Sequence, residues 1–331
     1  MKILLCTRQD CYKNFAGDTT LVLKTAQYLK KIGVEVYVNN GCIYDFSEYD
    51  VIHLFNLNKV GETYKYYKMA RQHKKKILLS PEYFNLSKYY KHMNYTEKLK
   101  WWERSNVYRK EILKGAAKII VNSKIEQENI KKDFRIQKLS SVIYKGVEVE
   151  DEEVPLYNFR ERYKLNTYVL CVGNICPKKN QLTLANVCSE LGVQLVLIGK
   201  VTDKEYFKQC IKFDNVLYLG FMDSYNIYNA YRFAKVHILP SYVEIPGLSS
   251  LEAAASGCNI ISTVEGTAKE YLKDMAVYCN PYDDNSIYEE VERGLAIRKN
   301  NKLKNYVNEN YTWEKYSKEL YKNYNELIIS L

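Results

Sequence analysis

Leu239-Pro240-Ser241-Tyr242-Val243-Glu244-Ile245-Pro246-Gly247-Leu248-Ser249-Ser250-Leu251-Glu252-Ala253-Ala254-Ala255-Ser256-Gly257 runs from the end of an apolar segment through a loop into a helix. Val236 to Leu239 reads as a short strand. Glu244 falls in the loop. Pro246-Gly247 opens the helix, with Leu248, Leu251 and Ala255 on one face. Proline suits a first turn because its missing N–H would have no partner there. The N–H groups of Gly247, Leu248 and Ser249, with the positive end of the helix dipole, form an anion site. Helical side chains lean toward the N-terminus, so Glu252, one turn in, points its carboxylate back at that site. A carboxylate does not bind a phosphate, and a neutral diol such as a ribose is its sensible partner. Taken alone, the stretch also reads as two surface carboxylates on an ordinary capped helix.

Working outward, the same strand–loop–helix unit repeats. Tyr168 to Gly173, Leu195 to Gly199, Val216 to Gly220, Asn259 to Ser262 and Ala276 to Tyr278 are short apolar runs separated by helical patterns. Strands that exit into Gly suit a sheet whose carboxyl edge faces a ligand. The first half has the same rhythm. Ile3–Cys6, Val34–Val38, Val51–Leu54, Ile77–Leu79 and Ile119–Val121 are strand candidates. A helix from Thr19 to Ile32 carries Leu21, Thr25, Tyr28, Leu29 and Ile32 at helical spacing and stops at Gly33. The charged stretch Glu148 to Glu153, followed by Pro155, reads as a linker. Thr312 caps a last helix whose stripe is Trp313, Tyr316, Leu320, Tyr324 and Leu327. The expected fold class is α/β, with two doubly wound parallel-sheet domains over residues 1–155 and 156–311 and a terminal helix over 312–331.

Composition restricts the function. With 331 residues, 47% hydrophobic and 27% charged, the chain is long enough for two ordinary cores. Nine cysteines lack metal-ligand spacing and read as reduced thiols. No apolar stretch approaches the length of a bilayer span, and Met1-Lys2 leads straight into a strand, so the expected location is cytoplasmic. The net charge of +10 is concentrated in residues 59–118, with 16 basic and 5 acidic side chains. Eight tyrosines, Phe84, Trp101 and Trp102 share that stretch. Such a surface suits anionic lipid, nucleic acid or an acidic glycan, or is simply a solvated face. Asp283-Asp284 reads as a turn rather than a metal pair, and His53 and His237, in or beside strands, read as packed. No Ser-His-Asp set, Walker loop, zinc cluster or nicotinamide fingerprint appears.

Glu244 and Glu252 form an E-x7-E pattern, and with Pro240-Ser241, Gly247-Leu248, Ala255, Gly257, Thr263, Gly266, Glu270, Asn280-Pro281-Tyr282-Asp283 and Thr312-Trp313 the chain resembles the retaining GT-B glycosyltransferases of family four. The resemblance covers nearly the whole chain. It implies two facing Rossmann-like domains, with the terminal helix crossing back onto the first. Val172-Gly173-Asn174-Ile175-Cys176-Pro177-Lys178-Lys179 would be the donor-phosphate loop, with Lys179 at the family's phosphate-binding position. Asn174 replaces the family's arginine, and Glu82 follows the strand after which many members place a histidine. Gly17, in the first domain's Gly-rich turn, would approach the donor phosphate or the acceptor, and Phe221 would lie at the base.

The resemblance therefore implies a retaining transferase with a nucleotide-diphosphate sugar, UDP-sugar foremost, as donor. Lys179, Asn174, Gly17 and the helix start at Gly247, Leu248 and Ser249 would hold the diphosphate, Glu252 the ribose, and Glu244 the sugar. Glu82 would lie on the acceptor side, and the acceptor would be a glycan, lipid-linked or protein-linked. No metal or other cofactor is expected, and no nucleic acid. An anionic membrane surface is an expected partner of residues 59–118. The rival readings are a non-catalytic transferase-like subunit that binds a glycan or a partner enzyme, a nucleotide-sugar epimerase or phosphorylase, and a nucleic-acid binder.

Overall fold

The computed structural model describes residues 1–137, 140–148 and 156–329. The chain forms two compact units, Met1–Gly146 with Tyr311–Leu331, and Val147–Asn310. The expected domain limit at 155 falls among residues outside the described ones, as does most of the expected linker.

The first unit is built on β1 (Lys2–Cys6), β2 (Glu35–Asn39), β3 (Val51–Phe55), β4 (Lys76–Ser80), β5 (Lys118–Val121) and β6 (Ser140–Val142). These strands pair in the order β2-β1-β3-β4-β5-β6, all parallel. The second unit is built on β7 (Tyr168–Val172), β8 (Gln194–Ile198), β9 (Val216–Tyr218), β10 (Val236–Ile238), β11 (Asn259–Thr263) and β12 (Val277–Cys279). Their order is β12-β11-β10-β7-β8-β9, again parallel. This is the doubly wound arrangement. Strand order reverses between β1 and β3 in the first sheet and between β7 and β10 in the second. Such points open a crevice at the carboxyl ends of the strands, where ligands bind in folds of this kind.

The apolar runs make these sheets because both faces are covered. All five residues of β3 and of β7 are buried, as expected of a parallel sheet with helices on each side. The second core gathers Val169, Cys171, Leu195, Leu197, Val236, Ile238 and Ile261 with Leu184 and Val187 of the helix Gln181–Glu190 and Ile287 and Val291 of the helix Asp284–Ala296. Each fully buried Leu, Ile or Val stabilises by about 1.5–3 kcal/mol.

The expected stripe of the terminal helix, Trp313–Ile329, is buried along its length and packs on the helix Gly17–Lys31 of the first unit. Thr312 Oγ1 accepts the Lys315 N–H at 3.2 Å, so it caps as expected. Polar contacts fix the docking register. The Tyr324 hydroxyl lies 2.6 Å from His53 Nδ1, whose Nε2 lies 2.8 Å from Ser80 Oγ. Lys76 Nζ donates to the carbonyls of Leu327 and Ile328 at 2.8 and 3.2 Å, meeting the negative end of the helix. Gly146 lies so close to the Thr312–Trp313 backbone that any Cβ would collide with it.

Two expectations are corrected. Ile32 is not part of the stripe of the first helix: the helix ends at Lys31, and Ile32 follows it half-exposed. Trp102 and Arg109 do not belong to the basic surface. Trp102 is buried, and the fully buried Arg109 guanidinium stacks on its ring at 3.7 Å while donating to the carbonyls of Leu57 and Trp102.

Candidate active site

The crevice of the second unit is built by the loops leaving β7 and β10. After β7 the chain hydrogen-bonds to the exit of β8, through Gly173 N to Ile198 O and Ile175 N to Lys200 O, both at 2.9 Å. Gly199, at φ +144°, lets the two exits cross, since a Cβ there would strike the Gly173 carbonyl. Pro177–Lys179 then makes one 3-10 turn, closed by Asn180 in the left-handed region. Gln181 Nε2 donates to the Asn174 carbonyl at 2.9 Å and fixes the loop from within. This geometry brings Lys179 over Gly173 and against Glu244.

Glu244 is held from behind. Its N–H donates to the Glu265 carbonyl and its carbonyl accepts the Thr267 N–H, both at 3.0 Å. Gly266 between them packs flush on the Glu244 backbone, where no Cβ fits. The Glu244 carboxylate is 5% exposed and forms an ion pair with Lys179 Nζ, whose side chain is 18% exposed. Burial alone would raise the Glu244 carboxyl, but the adjoining Lys179 charge and hydrogen bond carry it below the usual carboxylate range. Burial likewise acts to lower Lys179, and Glu244 overrides it, holding the ammonium above its ordinary value. Both groups are therefore charged at neutral pH.

The helix beyond them is Leu248–Ala255, and Pro246 is not in its first turn as expected. Gly247 caps the helix at φ +86°, a conformation proline cannot adopt, so the proline stands one residue earlier. A Cβ on Gly247 would lie 3.0 Å from Glu244 Oε2 and 3.2 Å from Leu239 Cδ1. Ser250 and Leu251 donate to the Gly247 carbonyl, so the N–H groups of Leu248 and Ser249 precede the first intrahelical bonds. Ser249 Oγ donates to the Val172 carbonyl at 2.9 Å, tying this helix start to the end of β7. Glu252, one turn in, accepts from the Tyr231 hydroxyl at 3.2 Å. Phe221, after β9, is 65% exposed.

His237 is buried beside this site, and its Nε2 faces the Val172 N–H at 3.4 Å. Burial and then the Lys179 charge push it down to about 3, so it is neutral and packed. His53 is equally buried and driven well below the usual histidine value by burial. Asp283 accepts the Asn285 N–H at 3.1 Å and caps the helix Asp284–Ala296. Among the described residues no cluster of three His, Cys, Asp or Glu is placed to hold a metal.

The structure places Gly17 and Glu82 in the first unit. Gly17 opens the helix Gly17–Lys31, and the next residue, Asp18, receives the Arg8 guanidinium through Nε at 2.8 Å. Glu82 follows β4 with φ +50° and is only 12% exposed. Its carboxylate pairs with the buried Lys145 and accepts from Asn122 Nδ2 at 3.5 Å. Beneath it, Glu126 accepts the N–H groups of Tyr83 and Asn122, each at 2.7 Å. Burial and then the neighbouring Glu82 charge raise the Glu126 carboxyl to about 8.

Residues 158–313 match the family model described as "Glycosyl transferases group 1". They are a glycosyl transferases group 1 domain. The group 1 domain holds every second-unit residue singled out from the sequence as donor-binding or catalytic. An uncharacterized glycosyltransferase of Methanocaldococcus jannaschii is 26% identical over 201 residues, 54% of this chain and 52% of that protein. The chain thus spans about half the length of that relative. Sucrose-phosphate synthase from Thermosynechococcus elongatus has a TM-score of 0.84 at 18% identity, with all of both chains covered. Anabaena HepE in complex with UDP and glucose has a TM-score of 0.76 at 14% identity, also over all of both chains. At these identities the solved structures establish the fold, two Rossmann-like GT-B units.

Sequence reasoning missed several residues that shape the group 1 domain's site and its counterpart in the first unit. Gly199 carried only the general signal of glycine after a strand, and Gly266, singled out by the resemblance, carried no sign that it packs on the Glu244 backbone. The Ser249 tie to β7 had no signal. Ser123-x-x-Glu126 spells a capping box, and Ser123 Oγ does accept the Glu126 N–H at 3.0 Å. Nothing in the sequence marked Lys145.

Proposed function

We propose that the chain is a retaining glycosyltransferase that moves a sugar from a nucleotide-diphosphate sugar, a UDP-sugar foremost, to a glycan, lipid-linked or protein-linked acceptor. The observation that carries this reading is the charged Lys179–Glu244 pair beside the start of the helix Leu248–Ala255, at the switch point of the group 1 domain. A diphosphate entering there meets Lys179 and the N–H groups of Leu248 and Ser249. It takes over from Glu244 as the lysine's partner, which turns the carboxylate toward the hydroxyls of the transferred sugar. As the sugar–oxygen bond breaks, the leaving diphosphate gains charge, and a fixed cation stabilises that state more than the ground state. Asn174, where a cation is usual, adds a hydrogen-bond donor only, so Lys179 and the helix dipole carry the electrostatic work without a metal. Glu252 takes the ribose hydroxyls, and Phe221 stands at the base. The UDP in the Anabaena neighbour supports the choice of nucleotide.

The chain is further proposed to act in the cytoplasm at an anionic membrane face. Trp101, Val107 and Tyr108 are exposed on the helices Thr96–Arg104 and Asn106–Gly115 among Lys98, Lys100, Arg104 and Lys110. No described helix is long and apolar enough to cross a membrane. The test of the reaction is UDP release from UDP-sugars in EDTA, with the anomer of the product followed by proton NMR. Retention of configuration in EDTA supports the reading. Inversion or a strict metal requirement overturns the corresponding part.

A further inference from the structure

Glu252, proposed above to take the donor ribose, is half-buried on the helix Leu248–Ala255. A glutamate side chain has several torsions, and fixing them costs conformational entropy unless a neighbour already holds the carboxylate. Here the Tyr231 hydroxyl donates to Glu252 Oε2 at 3.2 Å. Tyr231 stands near the end of the helix Ser224–Phe233, which packs against Leu248–Ala255, and is only 2% exposed. Its ring meets the ring of His237, on β10, edge-on with centroids 5.5 Å apart. Closed in by a strand and a neighbouring helix, the phenol is a donor fixed in place. Burial, and then the adjoining Glu252 charge, hold it well above its ordinary pKa, so it keeps its proton and donates at neutral pH.

A buried phenol needs a partner, but that partner can be backbone. Tyr168, packed close by, donates to the Ala230 carbonyl at 2.6 Å. Tyr231 donates instead to a charged side chain that reaches solvent at the donor crevice. Phenylalanine would fill the same core space without touching that carboxylate. The hydroxyl is therefore the part of Tyr231 that packing alone does not explain.

The chemistry of a held carboxylate differs from that of a free one. With one lone pair taken by the phenol, both oxygens still accept further donors. The 2′- and 3′-hydroxyls of a ribose are two such donors on adjacent carbons, and they match a carboxylate whose plane is fixed. A deoxyribose offers one of them. A free carboxylate swings to follow a single hydroxyl, whereas a held one is left with an oxygen stripped of water and unmatched.

We propose that Tyr231 is a positioning residue that, through Glu252, makes the group 1 domain select ribonucleoside over deoxyribonucleoside diphosphate donors. The proposal rests on the transferase reading and on the ribose role of Glu252, and it narrows the donor class for both.

The experiment is calorimetry of UDP and 2′-deoxy-UDP, which share base and diphosphate, binding to the full chain. Wild type, Tyr231→Phe, Glu252→Gln and the double variant are compared, with thermal unfolding verifying the fold of each. Wild type is expected to bind UDP at least about tenfold more tightly than 2′-deoxy-UDP. Tyr231→Phe should shrink that ratio to about threefold or less, by weakening UDP alone. In the Glu252→Gln background the ratio is already small, and Tyr231→Phe should move it no further. A merely structural tyrosine would weaken both nucleotides by the same factor, and that unchanged ratio overturns the proposal. So does a wild type that does not distinguish the two nucleotides, or an equal effect of Tyr231→Phe with and without the Glu252 carboxylate. Absence of UDP binding by the wild type counts instead against the transferase reading itself.

Discussion

Lys179 and Glu244, 65 residues apart in the chain, form a nearly buried ion pair at the carboxyl edge of the second sheet. The pairing places Lys179 of the strand-exit loop on the carboxylate of Glu244, whose backbone is held by Gly266 and Thr267. A buried pair broken on one side leaves an uncompensated charge, at a cost of about 3 kcal/mol or more. Lys179→Ala should therefore lower turnover by about 10²–10³ and also lower stability. In the double variant Lys179→Ala/Glu244→Gln, stability should largely return while activity does not. Paired denaturant melts and rate assays separate the two effects, and recovery of activity in the double variant would contradict the catalytic role of Lys179.

Gly247 combines a left-handed backbone with a close approach to Glu244 Oε2. Gly247→Ala is expected to cost about 1–2 kcal/mol from backbone conformation and to push the Glu244 carboxylate out of register. UDP affinity by calorimetry should fall at least fivefold, with far-UV circular dichroism unchanged. An affinity equal to wild type would show that the helix start is not part of the donor seat.

His237 gives the group 1 domain a defined pH response. Its folded pKa, about 3, lies below the unfolded value of about 6.5. Above pH 6.5 neither state is protonated and the full stability is present. As pH falls below 6.5 the unfolded state takes up a proton that the folded state does not, and stability drops by about 1.4 kcal/mol per unit from this group. Between pH 7 and pH 5 the advantage of wild type over His237→Gln should shrink by about 2 kcal/mol. Denaturant midpoints at the two pH values measure it, and a constant difference would mean that His237 is protonated in the folded protein.

Gly146 is the contact on which the terminal helix closes. Gly146→Ala forces a methyl into the Thr312–Trp313 backbone and should cost about 1–3 kcal/mol as overpacking. Hydrogen exchange over residues 313–329 should rise selectively, while the helix Leu248–Ala255 keeps its protection. Unchanged exchange in the terminal helix would place its anchoring elsewhere, at the His53–Tyr324 contact.

Much of this fold could be read in advance because parallel strands covered on both faces appear as unbroken apolar runs. Tyr168–Val172 and Leu195–Ile198 are such runs, and each exits into glycine. β6 was not visible because Ser140-Ser141-Val142 is short and mostly polar. Pro246 was placed two residues too deep because the preference of proline for a first turn competes with the need for positive φ at Gly247, and the glycine decides. The candidate site residues of the group 1 domain were picked out as types at fixed spacing, but their pairing was not. Contacts such as Lys179–Glu244, Glu82–Lys145 and Tyr83–Glu126 join residues 65, 63 and 43 positions apart, and no local pattern encodes them. Trp102 looked like surface because its neighbours are charged, whereas helical spacing turns it inward onto Arg109.

The most direct measurement is a calorimetric titration of UDP into the wild type and Lys179→Ala in EDTA. One-to-one binding by the wild type without metal, weakened at least tenfold in the variant, is the expected result. Equal affinity in the two proteins, or no binding by the wild type, would contradict a donor site built on Lys179 at the switch point of the group 1 domain.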